Sequence, residues 1–156
     1  MTPARRPKVA RKPRLQLEVV DRGKPRTDRA LLREVVRATL DHVDRLDLPV
    51  SLLLTDDAEI AQIHADYLDD PTPTDVISFA LEEGAELVVS VQTARRVARE
   101  QGHTIRAEVA LYVVHGLLHC CGYDDIRARD RKRMREAERA VMTKLQLRVR
   151  AVDDES

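Results

Sequence analysis

The chain has 156 residues, 27 basic and 27 acidic, for a formal net charge of zero; 43% of it is hydrophobic but only 3% aromatic. That length suits one domain around a single, mainly aliphatic core. No tryptophan and one phenylalanine argue against a base-stacking platform for single strands. No apolar run is long enough to cross a membrane. The N-terminus lacks the apolar stretch of a secretory signal, so the cytoplasm is the expected compartment.

Residues 1–14, MTPARRPKVARKPR, carry six basic residues (Arg5, Arg6, Lys8, Arg11, Lys12, Arg14) and no acid. With prolines at 3, 7 and 13 the segment reads as a flexible basic tail, either a solvated terminus or a loose tether for RNA. The catalytic domain is expected over 15–150, followed by an acidic end at 151–156. Leu15–Val20 alternates and predicts a strand. After a turn region from Gly23 to Thr27, apolar residues at helical spacing predict an amphipathic helix over Asp28–Leu46. Pro49–Leu54 predicts a second strand. Thr55-Asp56-Asp57 starts a helix to about Tyr67, with acids at the positive end of its dipole. Asp69–Thr74 is a proline-containing loop.

Asp75–Leu81 and Glu86–Ser90 predict two strands at hairpin-like spacing through Gly84. Ser90 caps a helix to about Gln101, which Gly102 breaks. Thr104–Cys121 is a further helix, almost wholly apolar from Val109 on and therefore expected to be buried. Ile126 to about Leu147 is a last, arginine-rich helix. Cys120 and Cys121 are adjacent on a helix, cannot easily bond to each other, and read as buried reduced thiols turned away from His115 and His119. His103 reads as a helix-junction residue. Glu108 has no expected task beyond fixing a neighbouring arginine.

The run VVHGLLHCCGYDD, 113–125, carries the chemistry. His115 and His119 are four residues apart, so both imidazoles lie on one face of a helix. Gly122 lets the chain turn out of that helix, and the turn can swing Asp125 back as a third ligand, with Asp124 as the alternative. Three protein ligands and an open position describe a catalytic metal site. Such a site acidifies water and polarises a phosphoryl or carbonyl oxygen, so phosphodiester and peptide hydrolysis both fit. No side chain is singled out as catalytic; water on the ion is the expected reactive group. In zinc proteases of the HExxH kind a glutamate follows the first histidine as general base; here that position is Gly116.

These residues resemble a known family. HGLLHCCGYDD is similar to the HGxLHLxGYDH signature of the YbeY family, metal-dependent endoribonucleases of ribosomal RNA maturation. TDVISFA, Thr74–Ala80, is similar to that family's TDVLSFP, and the likeness extends over about residues 15–150. Asp125 stands where the family has a third histidine, Leu68 where it usually has arginine, and His64 where asparagine is common.

The resemblance implies an α+β, zincin-like fold: a small mixed sheet packed on helices, with the metal cleft between sheet edge and helix. It also implies a metal-dependent, single-strand-specific endoribonuclease with one divalent ion, zinc first. RNA, and a ribosomal subunit or ribosomal proteins, are the expected partners. A carboxylate in place of the third imidazole loosens the preference for zinc, since two histidines and a carboxylate also suit iron(II) and manganese. The alternatives are a zincin-type metalloprotease and a non-catalytic ribosome assembly factor.

Thr74, Asp75 and Ser78 either shape the start of their strand or, by the resemblance, hold substrate. Arg127 and Arg129 open a basic run on the last helix. That run is either a solvated face balanced by Asp130, Glu136 and Glu138 or a phosphate contact beside the metal.

Overall fold

The computed structural model describes residues 13–69 and 74–149. Its elements follow in the order β1 (Leu17–Asp21), α1 (Arg29–His42), β2 (Val50–Thr55), α2 (Asp57–Leu68), β3 (Val76–Leu81), β4 (Gly84–Ser90), α3 (Val91–Gln101), α4 (Ile105–Cys120) and α5 (Ala128–Lys144). The four strands form one mixed sheet in the order β1-β2-β4-β3. β1, β2 and β4 run parallel; β3 runs antiparallel to β4 and forms one edge. This is the α+β arrangement predicted, including the hairpin between the third and fourth strands.

Alternation along the strands builds two unequal layers. Leu52, Leu54, Leu87 and Val89 belong to the main core with α1, α4 and α5. On the other face Leu53, Ile77 and Val88 meet Ile60 and Ile63 of α2 in a smaller cluster. α4 lies in the middle of the main core, with Val109, Val113, Val114, Leu117 and Leu118 fully buried. A helix apolar on nearly every side is stable only where other elements enclose it.

Most differences from the predicted boundaries have local causes. α1 ends at His42, four residues short of the prediction, because the chain turns through a left-handed residue at Asp44 (φ 56°). β4 starts at Gly84, where a Cβ would stand 2.9 Å from the Pro49 carbonyl oxygen; only glycine permits that approach, and the Ala85 N–H donates to the same oxygen at 2.9 Å. α5 is shorter at both ends than predicted. The caps at Asp56, Ser90 and Thr104 each accept a backbone N–H of the first turn, and Gly102 closes α3 at φ 80°. The basic tail falls outside the described residues except for Pro13 and Arg14, as do residues 70–73 of the loop and the acidic end.

Candidate metal centre

α4 places His115 and His119 one turn apart at its C-terminal end, with ring centroids 5.4 Å apart and planes at 89°. The chain then leaves the helix in a defined turn. The Cys121 N–H reaches the Leu117 carbonyl, Gly122 adopts φ +97°, and the Tyr123 N–H returns to the Leu118 carbonyl at 3.0 Å. Asp124 fixes the next step: its Oδ1 accepts the Asp125 N–H at 2.7 Å. Asp124 thus shapes the turn, and Asp125 is the residue that faces the histidines. Asp125 Oδ2 lies 3.6 Å from His115 Nε2, and Asp125 Oδ1 lies 3.5 Å from His119 Nε2.

One donor atom from each of His115, His119 and Asp125 lies within 4.8 Å of the others. Donors roughly 2 Å from a shared tetrahedral centre stand roughly 3.3 Å from one another. The three residues therefore fit one divalent ion with little movement.

The imidazole of His115 is oriented from behind. Its Nδ1 donates to Glu138 Oε1 at 2.7 Å, which leaves Nε2 to face the cluster. Glu138 comes from α5 and is 1% exposed; its other oxygen accepts from Arg135 Nη1 at 3.3 Å. A buried carboxylate behind a histidine sets the tautomer and ring angle of a metal ligand. Burial works to lower the pKa of His115, but the hydrogen bond and charge of Glu138, with Asp125 and Asp75, prevail and raise it. Sequence reasoning placed Glu138 on the solvated arginine face. The signal was present: with Met134, Val141 and Met142 it falls on the stripe of α5 that faces the core.

A cleft of about 240 Å³ opens beside the cluster. Asp75, Val76 and Ser78 of the β3 edge line it, with His64 and Leu68 of α2 and the two α4 histidines. Asp75 also shapes the start of β3, its Oδ1 accepting the Val76 N–H at 2.7 Å. Thr74 does not line the cleft; its hydroxyl reaches Asp75 Oδ1 at 3.4 Å. Arg127 and Arg129 are exposed at the start of α5 and are not among the cleft-lining residues. Several neighbours on that helix serve structure: Arg131 donates to the Ile126 carbonyl at 2.6 Å, and Arg133 stacks 4.7 Å over the Tyr123 ring.

Two minor expectations are corrected. Among the described residues Glu108 bonds His103 at the α3–α4 junction rather than an arginine, and burial together with the charge of Glu108 raises the pKa of Tyr112. Cys120 and Cys121 are free but half-buried rather than buried. Burial pushes the Cys120 thiol up to about 11. Among the described residues neither sulfur joins the donor cluster, and no helix is long and apolar enough to cross a membrane.

Comparison with known proteins shows the family and the fold. A family model described as Endoribonuclease YbeY matches residues 18–146. A protein of Pelotomaculum thermopropionicum named Endoribonuclease YbeY is 36% identical over 141 residues, covering 80% of this chain and 93% of its own. One of the same name from Heliobacterium modesticaldum is 37% identical over 114 residues, covering 62% of this chain and 69% of its own. The solution structure of TM1509 from Thermotoga maritima is similar in fold, with a TM-score of 0.61 at 22% identity over 90% of this chain and 97% of that one.

Proposed function

Because this chain belongs to the YbeY endoribonuclease family, we propose that its hydrolysis of RNA phosphodiesters depends on one divalent ion held by His115, His119 and Asp125. The observation that carries this is the convergence of those three residues within 4.8 Å, with His115 oriented by the buried Glu138. The chemistry a divalent ion contributes when bound is Lewis acidity toward a phosphoryl oxygen and acidification of water. The chain's own part is to fix the donors, keep Nε2 of His115 outward and offer a cleft along β3 for the phosphodiester. Zinc is the expected ion, and the carboxylate donor leaves room for manganese or iron(II). Single-stranded ribosomal RNA is the proposed substrate, in maturation and ribosome assembly, with the ribosomal subunit or its proteins as partners and the cytoplasm as the site of action.

Peptide hydrolysis is disfavoured at Gly116. A Cβ there would stand 2.7 Å from Leu87 Cδ2, so α4 lies flush on β4 where an HExxH enzyme carries its glutamate base.

The test is cleavage of a single-stranded RNA by protein stripped with a chelator and reloaded with zinc or manganese, beside His115→Ala. Cleavage is expected only from the reloaded parent. Equal cleavage by the stripped protein or by His115→Ala would overturn metal dependence. Accumulation of unprocessed ribosomal RNA in cells lacking the protein would support the ribosomal role, and normal RNA would oppose it.

A further inference from the structure

β3 is an edge strand, and half of its backbone groups turn away from its one neighbour. Antiparallel pairs alternate between rows that exchange hydrogen bonds and rows that do not. The Ser90 N–H donates to the Asp75 carbonyl at 2.9 Å, so the row of Asp75 and Ser90 is a bonded one. Along the register, Ile77 with Val88 and Phe79 with Glu86 are then bonded rows as well. Val76, Ser78 and Ala80 direct their N–H and C=O groups out of the sheet edge. Val76 agrees in phase: its N–H goes to Asp75 Oδ1 at 2.7 Å.

That edge is a wall of the cleft. Asp75, Val76, Ile77 and Ser78 all line it, although successive side chains on a strand point to opposite faces. Ile77 packs on the α2 side and Val76 on the α4 side. What the four consecutive residues share is the outer edge of the strand, so the backbone itself faces the space that His115 and His119 bound. Of the outward N–H groups, that of Val76 is taken by Asp75, and Ala80 lies outside the lining. The Ser78 N–H is the outward amide of β3 inside the cleft. The bonded rows of Ile77 and Phe79 on either side hold its direction. A backbone amide so fixed donates at every pH and needs no side chain to be ordered, which suits it to an anionic oxygen. Asp75 repels an anion at the start of the strand, which places the anion towards Ser78.

We propose that the outer edge of β3 is a phosphate-contacting wall, in which the Ser78 N–H donates to a non-bridging oxygen of the RNA phosphate lying beside the donor cluster on α4. This rests on the ribonuclease reading above and deepens it by naming the group that receives the phosphate. The contact reads no base, so it positions the strand without choosing a sequence.

Three variants of the zinc-loaded protein test it. Ser78→Pro removes the N–H; proline is tolerated on an edge strand where the N–H faces outward, and it keeps the residue before it extended. Ser78→Ala removes the hydroxyl and keeps the N–H. Ala80→Pro removes the next outward N–H, beyond the cleft. Zinc per chain, kcat/KM for a single-stranded RNA and affinity for a 2′-O-methyl RNA oligonucleotide are measured on each. Ser78→Pro is expected to keep its zinc and to lose about tenfold in both kcat/KM and affinity, the size of one hydrogen bond to a charged group. Ser78→Ala and Ala80→Pro are expected to stay near the parent. An unchanged affinity in folded Ser78→Pro would overturn the proposal, as would an equal loss in Ser78→Ala or in Ala80→Pro. The parent labelled with 15N-serine decides the matter even if Ser78→Pro fails to fold. Its Ser78 amide proton is expected to move downfield as the oligonucleotide is added, while that of Ser51, in the middle of the sheet, stays in place. A Ser78 signal that does not move while the oligonucleotide binds would overturn the proposal and leave the ribonuclease reading standing. A parent protein that neither cleaves nor binds RNA would sink that reading and this proposal with it.

Discussion

Glu138 decides which nitrogen His115 can offer. Its oxygen holds Nδ1 at 2.7 Å from a position 1% exposed, so the ring cannot rotate without leaving a buried carboxylate unpaired, which is costly. Replacing such an oriented partner lowers metal affinity by about ten- to a hundredfold. Glu138→Gln keeps an acceptor and is expected near the lower figure; Glu138→Ala, which also leaves a cavity, near the upper. Zinc dissociation constants from competition with a chromophoric chelator check this, and equal affinity in all three proteins would remove Glu138 from the site. Asp125 makes a second case. Its carboxylate brings a negative charge to a donor cluster that otherwise holds two imidazoles. Asp125→His is expected to tighten zinc and weaken manganese, because a third nitrogen suits the softer ion. The same competition assay reads both constants, and two unchanged constants would place another group in the third position.

At the scale of elements, the start of α2 and the start of α3 are clasped by one side chain. Asp57 accepts from the Ser90 hydroxyl and the Thr93 hydroxyl, both at 2.6 Å, and from Arg96 at 3.4 Å. Partial burial pushes its carboxyl up, but these hydrogen bonds prevail and hold its pKa below the ordinary value. A lowered folded pKa gives stability that is present above the unfolded value, near pH 4, and is lost as the pH falls through the folded one. Asp57→Asn is therefore expected to cost about 1–3 kcal/mol at pH 7, with the gap to the parent narrowing below about pH 4. Urea denaturation at pH 7 and pH 3 measures it; a gap independent of pH would show that the charge of Asp57 is not what joins the two helices. Ser90 was legible as a cap because it sits directly before an amphipathic helical segment that Gly102 ends, yet its second bond, to Asp57 33 residues away, was not. Sequence spacing reports contacts within an element. Contacts between elements need the sheet order, and the parallel pairing of β2 with β4 skips over β3.

Across the whole molecule the same division holds for the site. His115, His119 and Asp125 lie within eleven consecutive residues, so helical period and one glycine turn were enough to bring them together on paper. His64 and Glu138 enter from α2 and α5, far away in sequence, and only the packing of those helices against β3 and α4 delivers them. The arginine run was legible as charge but not as placement. Arg131, Arg133 and Arg135 are engaged with Ile126, Tyr123 and Glu138, while Arg127 and Arg129 stay exposed outside the cleft. The basic face of α5 thus suits the flanks of an RNA better than its scissile phosphate. The basic residues of 1–12, namely Arg5, Arg6, Lys8, Arg11 and Lys12, are the other concentrated source of charge in a chain whose net charge is zero. For single strands, each phosphate neutralised contributes about 0.7 to the slope of log affinity against log salt. Removing residues 1–12 is expected to lower that slope, by up to about 3.5 if all five cations engage, while the sites cut in a single-stranded RNA stay the same. Fluorescence anisotropy over a series of salt concentrations gives the slope, and gel mapping gives the sites. An unchanged slope would leave the tail without a tethering role, and a changed cleavage pattern would give it a part in choosing the substrate.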